Sequence, residues 1–245
     1  MVAATRGMKD RGPGTPAGID KRQIVDAAQR LPPGALTMQA VAAELGVDRS
    51  AVNYHVKDRD GLKLLVATDV FAKEFARYPF TDDQDWQALC RSYARAMRDA
   101  LVATGALISY FRFDTDSSSA FLEQTDRLVG SLLEAGVPPT RTAQSVIMLN
   151  NIAMSLARDL WFSQTGGHPQ IPGIQNTFGQ SAAERFRHLR EVAEVWDGDL
   201  GGEAQADLYG DAQFDLSLEI FVRGLEQIAA REVHSDQASG AVIAQ

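Results

Sequence analysis

The chain has 245 residues, 45% hydrophobic and 23% charged, and a formal net charge of −8 that taken alone argues against a nucleic-acid partner. One cysteine, Cys90, excludes an intramolecular disulfide and a Cys-rich zinc module, and no run of about 18 apolar residues is present to cross a membrane. The charge is divided unevenly: residues 1–64 hold ten Lys or Arg against seven Asp or Glu, net +3, while residues 65–245 hold fourteen against twenty-five, net −11.

Residues 1–18 contain four Gly and two Pro, with Arg6, Lys9 and Arg11 against Asp10, which predicts a flexible basic arm. Its charges interrupt the apolar stretch a signal peptide needs, so a cytoplasmic location is expected. A first helix opens at Asp20, with Gln23 placed for a capping box and Ile24, Ala27, Ala28 and Leu31 on one face; Pro32, Pro33 and Gly34 end it. Thr37 caps a second helix with Met38, Val41, Ala42 and Leu45 as its apolar stripe, and Gly46 follows as the turn residue. Asp48 caps a short third helix in which Val47, Val52 and Val56 face inward and Arg49, Ser50, Asn53 and Tyr54 outward. Three short helices with a glycine-containing turn before the third predict a helix-turn-helix.

The helical pattern continues. A long helix from Asp58 to Tyr78 turns Leu62, Leu65, Val66 and Phe75 inward, and one from Asp85 to Ala103 buries Trp86, Leu89, Tyr93, Met97 and Leu101. The next, from Ser118 to Ala135, is expected to bury Leu122, Thr125, Leu128, Val129 and Leu132 before Gly136 closes it. Thr140 opens a helix reaching Phe162; a loop over residues 163–180, a helix near 181–195 and an exposed acidic loop over 196–211 follow. The last helix runs from Asp211 to Arg231, with Phe214, Leu218, Phe221, Val222, Leu225 and Ile228 on a broad apolar face, and the chain frays from Val233.

Residues 45–65, LGVDRSAVNYHVKDRDGLKLL, resemble the DNA-binding region of the TetR family of bacterial transcriptional repressors, and Thr37 to Ala43 resemble its preceding helix. The ordered set carries the likeness: the capping Thr37, the Gly46-Val47 turn, Tyr54, His55 and Val56 at the end of the third helix, then Lys57, Arg59 and Leu62. Residues 85–101 and 214–226 are more loosely similar to helices of the tetracycline-repressor branch. The resemblance implies an all-α protein: a three-helix DNA-binding domain over residues 19–64 and a larger ligand-binding and dimerisation domain over 65–232, with a flexible tail over 233–245. It also implies a homodimer that grips a palindromic double-stranded operator and is released by a small-molecule effector. The chain departs from the family twice. The segment between Asp20 and Thr37 is about one helical turn shorter than usual, and Asn53 stands where an aromatic residue is common.

A recognition helix presents short polar groups to base edges and pairs its flanks with phosphates. Arg49, whose fork suits guanine, Asn53, whose amide suits adenine, Ser50 and Gln39 are the expected base readers. Thr37, Tyr54, His55, Lys57 and Arg59 suit phosphates. In the body, the resemblance implies an effector pocket, for which Phe71, Phe75, Tyr93, Met97, Phe111, Phe121, Asn150, Met154, Arg158 and Trp161 are the candidates. Ser109 falls near the metal-linked histidine of the tetracycline branch, Phe75 near another drug-contacting histidine, and no His lies between His55 and His168. A tetracycline–magnesium ligand is therefore not expected; an apolar or aromatic effector is.

The helices from Thr140 to Phe162 and from Asp211 to Arg231 are candidates to pair with their symmetry mates as a four-helix bundle. Enzyme chemistry is not expected: His168, His188 and His234 are dispersed, Cys90 sits on an amphipathic helix, and GxSxG, Walker and HExxH motifs are missing. The acids at 197, 199, 203, 207 and 211 lack calcium-loop spacing, so neither a metal nor another cofactor is called for. The rival reading is a helical small-molecule carrier or enzyme with a vestigial head.

Overall fold

The computed structural model describes residues 18–113, 119–165, 188 and 209–243, and among them eight α-helices and no strand. The basic arm, most of the loop and helix expected over 163–195 and the acidic loop up to residue 208 lie outside the described residues. Contacts divide the chain into two compact units, one ending at Asp69 and the other beginning at Val70.

The first unit is set by local signals. Helix α1 (Lys21–Gln29) opens on a capping box: Gln23 N–H donates to Asp20 Oδ1 at 2.8 Å, and Asp20 N–H to Gln23 Oε1 at 2.9 Å. A 3₁₀ turn over Pro33–Ala35 connects α1 to the next helix. Helix α2 (Met38–Leu45) is capped by Thr37 Oγ1, which accepts from Ala40 N–H at 3.1 Å, and ends at Gly46 in the left-handed conformation, φ 65°. The Gly46 N–H donates to Ala43 O and the Val47 N–H to Ala42 O, the paired closure that favours glycine there. Helix α3 is Arg49–Val56. Ile24, Val25, Val41, Val52, Val56 and Leu62 fill the core between these short helices, each at most 6% exposed. Arg30 pairs with Glu44 at 2.7 Å and Gln29 donates to Asp69 at 2.8 Å, tying the end of α1 to α2 and to α4 (Arg59–Ala76). The division between the units falls within α4.

The second unit is built around α5 (Trp86–Ala103), which packs against α6 (Ser119–Glu134), α7 (Pro139–Gln164) and α8 (Asp211–Ile243). Asp85 caps α5 by accepting from Ala88 N–H at 2.7 Å. Between α5 and α8 a ladder of polar pairs runs antiparallel: Gln87 with Glu226 at 3.3 Å, Arg91 with Glu219 at 3.1 Å, Arg95 with Asp215 and Arg98 with Asp211 at 2.7 Å each. The more exposed ion pairs, those of Arg91 and Arg95, contribute about 0–1 kcal/mol apiece, whereas Arg98, 12% exposed, also lies over the Phe214 ring at 4.3 Å. Burial of Phe214, Leu218, Val222 and Leu225 contributes more, about 1.5–3 kcal/mol per side chain, so the pairs fix register while the apolar stripe holds the helix.

Two expectations need correcting. On α6, Phe121 is buried and Leu122 is 55% exposed: the stripe that meets the other helices is Phe121, Leu128 and Leu132, and Leu122 lies about 100° around the helix from Phe121. Helix α8 continues past Arg231 to Ile243, because residues 232–243 hold no proline to stop it.

Cys90 is fully buried, and burial pushes its thiol up to about 12. Since the thiolate is the reactive form, native Cys90 should resist a disulfide-exchange reagent at pH 8 and react only on denaturation. Fast modification of the folded protein would show that α5 opens readily.

Candidate nucleic-acid interface

The outer side of α2 and α3 gathers the residues singled out for DNA. Gln39, Arg49, Ser50 and Tyr54 are exposed and Asn53 is half-buried, while Val52 and Val56 on the opposite side of α3 are buried. The 3.6-residue period places 50, 53 and 54 to one side and 52 and 56 together on the inward line, while Arg49, seven residues before Val56, is exposed in the open first turn. Asp48 orders the start of α3, its Oδ1 accepting from Ser50 N–H at 2.7 Å. The Ser50 side chain bonds the same carboxylate, and these two bonds hold Asp48 below the usual carboxylate range.

Thr37 is exposed; its oxygen already accepts from the α2 backbone, so its own proton remains to donate outward. Tyr54, 73% exposed, meets the half-buried His55 ring edge-on at 5.2 Å. Lys57 lies in the reversal between α3 and α4 at φ 62°, ψ −57°, with Asp58 N–H donating to Val56 O at 2.7 Å across a three-residue turn. A non-glycine residue held there costs about 1–3 kcal/mol, strain of a kind that clusters at functional positions. Arg59, exposed, opens α4, and Asp58 caps it by accepting from Gly61 N–H at 2.7 Å.

Gly61 was not singled out by its sequence. A Cβ there would lie 2.1 Å from the Val56 carbonyl oxygen, so only glycine lets α4 start so close to the end of α3. The charge is also more local than the totals indicate. Residues 19–64 hold seven cations and six acids, and residues 1–18 supply the other two units of the +3. Within 37–59, Arg49, Lys57 and Arg59 are matched by Glu44, Asp48 and Asp58, so placement on the exposed face carries the argument and net charge does not.

In the second unit, Phe71, Phe75, Tyr93, Phe111 and Phe121 form one packed cluster with centroid separations from 4.7 to 6.2 Å, all five buried; Phe80 and Phe113 adjoin it. Met97 is buried and Met154 half-buried. Trp161 lies against Gly105, with 3.4 Å from its ring to the position a Cβ would take. Tyr93 Oη is 3.0 Å from Thr125 Oγ1, and burial pushes the phenol up to about 12. Asn150 Oδ1, Arg158 Nε and Gln124 Oε1 are buried with no hydrogen-bond partner. On the outside, Ile147 and Met148 of α7 and Leu216 and Ile220 of α8 are 53 to 63% exposed. On α8, Phe214, Leu218, Phe221, Val222 and Leu225 face inward, and Ile228 is 36% exposed.

No family model matches the chain. Solved structures do. ActR from Streptomyces coelicolor in its apo form aligns over 87% of this chain and 99% of its own, at 22% identity and a TM-score of 0.62. The TetR family protein ActR in complex with actinorhodin aligns over 85% and 96%, at 22% identity and 0.59. TetR from Acinetobacter baumannii AYE aligns over 86% and 98%, at 17% identity and 0.55. The chain therefore has the fold of TetR-family transcriptional regulators: an N-terminal helix-turn-helix and a helical body.

Proposed function

From that shared fold we propose that the chain is itself a TetR-family transcriptional regulator, a repressor that binds a palindromic operator as a homodimer and is released by a small apolar or aromatic effector. The observation that carries this reading is α3. Its buried Val52 and Val56 anchor it, and its exposed face presents Arg49, Ser50 and Asn53 together, the arrangement a major groove requires. Arg49 would read guanine and Asn53 adenine, with Gln39 beside them and Thr37, Tyr54, His55, Lys57 and Arg59 on phosphates. No enzymatic step is needed for this role, and its place is on DNA inside the cell.

The dimer is assigned to Ile147 and Met148 on α7 and to Leu216 and Ile220 on α8. Gly224, one turn beyond Ile220, has nothing within 4 Å of the position its Cβ would occupy, so a second helix can approach there. Coupling is assigned to α4, which belongs to both units. An effector that binds one arrangement of the body better than another shifts α4, and with it the spacing of two heads that must reach major grooves about 34–36 Å apart.

Selection of the full chain against random duplexes tests the proposal. It should return a two-fold-symmetric motif, and Asn53→Ala should relax one position in each half-site, at about 1–3 kcal/mol of lost discrimination, leaving the others intact. An unchanged motif would remove Asn53 from base reading; failure to enrich any motif would remove the regulator reading.

A further inference from the structure

We infer that Asn151 of α7 lies at the two-fold axis of the dimer, hydrogen-bonded to its own counterpart in a second copy, and that this amide pair decides which chains can associate. The assignment rests on the homodimer reading above and deepens it: apolar side chains make the contact there, and the polar residue set between them selects the partner.

Helix α7 presents an uncharged face. From Thr142 to Ala157 its sixteen residues include no Asp, Glu, Lys, Arg or His, although Gln144, Ile147, Met148, Asn151 and Ser155 are exposed. That is about 24 Å of partly solvent-facing helix without a charge. It belongs to a region, residues 65–245, that sums to −11, and two bodies so charged repel each other except through a neutral surface. A basic partner would be drawn to the acids elsewhere and would gain nothing from this stripe. Across a two-fold axis each residue meets itself, so any charge would face its like, and a stripe with none is what a second copy requires.

Asn151 occupies the middle of the stripe. It follows Ile147 and Met148 by one turn and lies between them around the helix, about 40° from the first and 60° from the second. Gln144 Oε1 already accepts from Arg141 Nη1 at 2.9 Å, whereas the Asn151 side chain has no hydrogen-bond partner among the described residues. An amide carries both a donor and an acceptor, so two facing copies satisfy each other. Against an apolar helix of a different protein the same amide would be buried unpaired, which is costly. A single asparagine in a helix seam fixes register and partner number in this way, at some expense in stability. Ile147 and Met148 then supply contact area, and Asn151 supplies discrimination.

Sedimentation of the full-length chain carrying Asn151→Asp or Asn151→Lys, each alone and the two mixed, tests this. Alone, each variant sets like charges face to face at the axis and should raise the dimer dissociation constant about 100-fold. Mixed in equal amounts, they should recover a dimer within about tenfold of the wild type, and native mass spectrometry should find it to contain one of each chain. Asn151→Leu should dimerise with itself, yet mixed with the wild type it should give fewer heterodimers than random pairing yields, because a heterodimer leaves one amide unpaired. Wild-type dimer stability in both charged variants, or two weakened variants that mixing does not rescue, overturns the assignment; should a charged variant misfold, the Asn151→Leu mixture decides it, and random pairing there overturns it. The two claims separate cleanly. A wild-type chain that sediments as a monomer removes the dimer and Asn151 with it, whereas a dimer indifferent to both charges but dissociated by Ile220→Glu keeps the dimer and removes only Asn151 from its axis.

Discussion

Replacing Gly61 with alanine is expected to dislodge the recognition helix and to reduce DNA affinity by about 100-fold or more, while the body stays folded. The added Cβ would sit 2.1 Å from Val56 O and 3.2 Å from Val56 C, and both are backbone atoms that no side-chain rotation can move. Relief requires α3 and α4 to separate. Their connection is only Lys57 and Asp58, already in a strained reversal, and Val52, Val56, Leu62 and Val66 are buried where the two helices meet the rest of the head. Overpacking of this kind costs about 3 kcal/mol, and here it falls on a unit of short helices with a small core. Hydrogen exchange should show faster exchange over residues 49–62, and tryptophan emission should be unchanged because Trp86, Trp161 and Trp196 all lie beyond Asp69. Wild-type protection and affinity in Gly61→Ala would contradict the close approach.

The second large effect is expected from Ile220→Glu. Ile220 is 63% exposed and Leu216, one turn earlier, 54%, an apolar pair that water solvates poorly and that the homodimer would cover. A carboxylate in the middle of that contact would be buried without a partner on both sides of the two-fold axis, raising the dimer dissociation constant about 100-fold or more. Two linked heads gain about 10²–10⁴ in avidity over one, so operator affinity should fall with the dimer although α3 is untouched. Leu122→Glu, at an exposed apolar residue of α6, should change neither property. Sedimentation of Ile220→Glu as a stable dimer would place the interface elsewhere.

The head was legible because its signals are local. Asp20 with Gln23, Thr37, Asp48 and Gly46 each act within four residues, and each does in the structure what its spacing predicts. Gly61 was illegible because its requirement arises from the carbonyl of another helix. In the body, periodicity also orients most helices, with Leu122 on α6 the clear exception. On α8 the 3.6-residue pattern picks out Phe214, Leu218, Phe221, Val222 and Leu225, which do face inward, whereas the exposed Leu216 and Ile220 fall outside that pattern and had no reading. The aromatic candidates were recognisable as a group, yet their mutual packing as one buried cluster depends on α4, α5 and α6 meeting. The unpartnered atoms of Asn150 and Arg158 could not be read from composition at all.

The central claim is most directly tested by titrating a fluorescent duplex carrying the selected motif with the full chain, at several salt concentrations. The account predicts two protomers per duplex and specific binding that weakens steeply as salt rises, with Lys57→Ala lowering affinity for all sequences and flattening the salt dependence by about one phosphate contact. Binding that is no tighter to the motif than to a scrambled duplex, or a complex containing a single protomer, would contradict it.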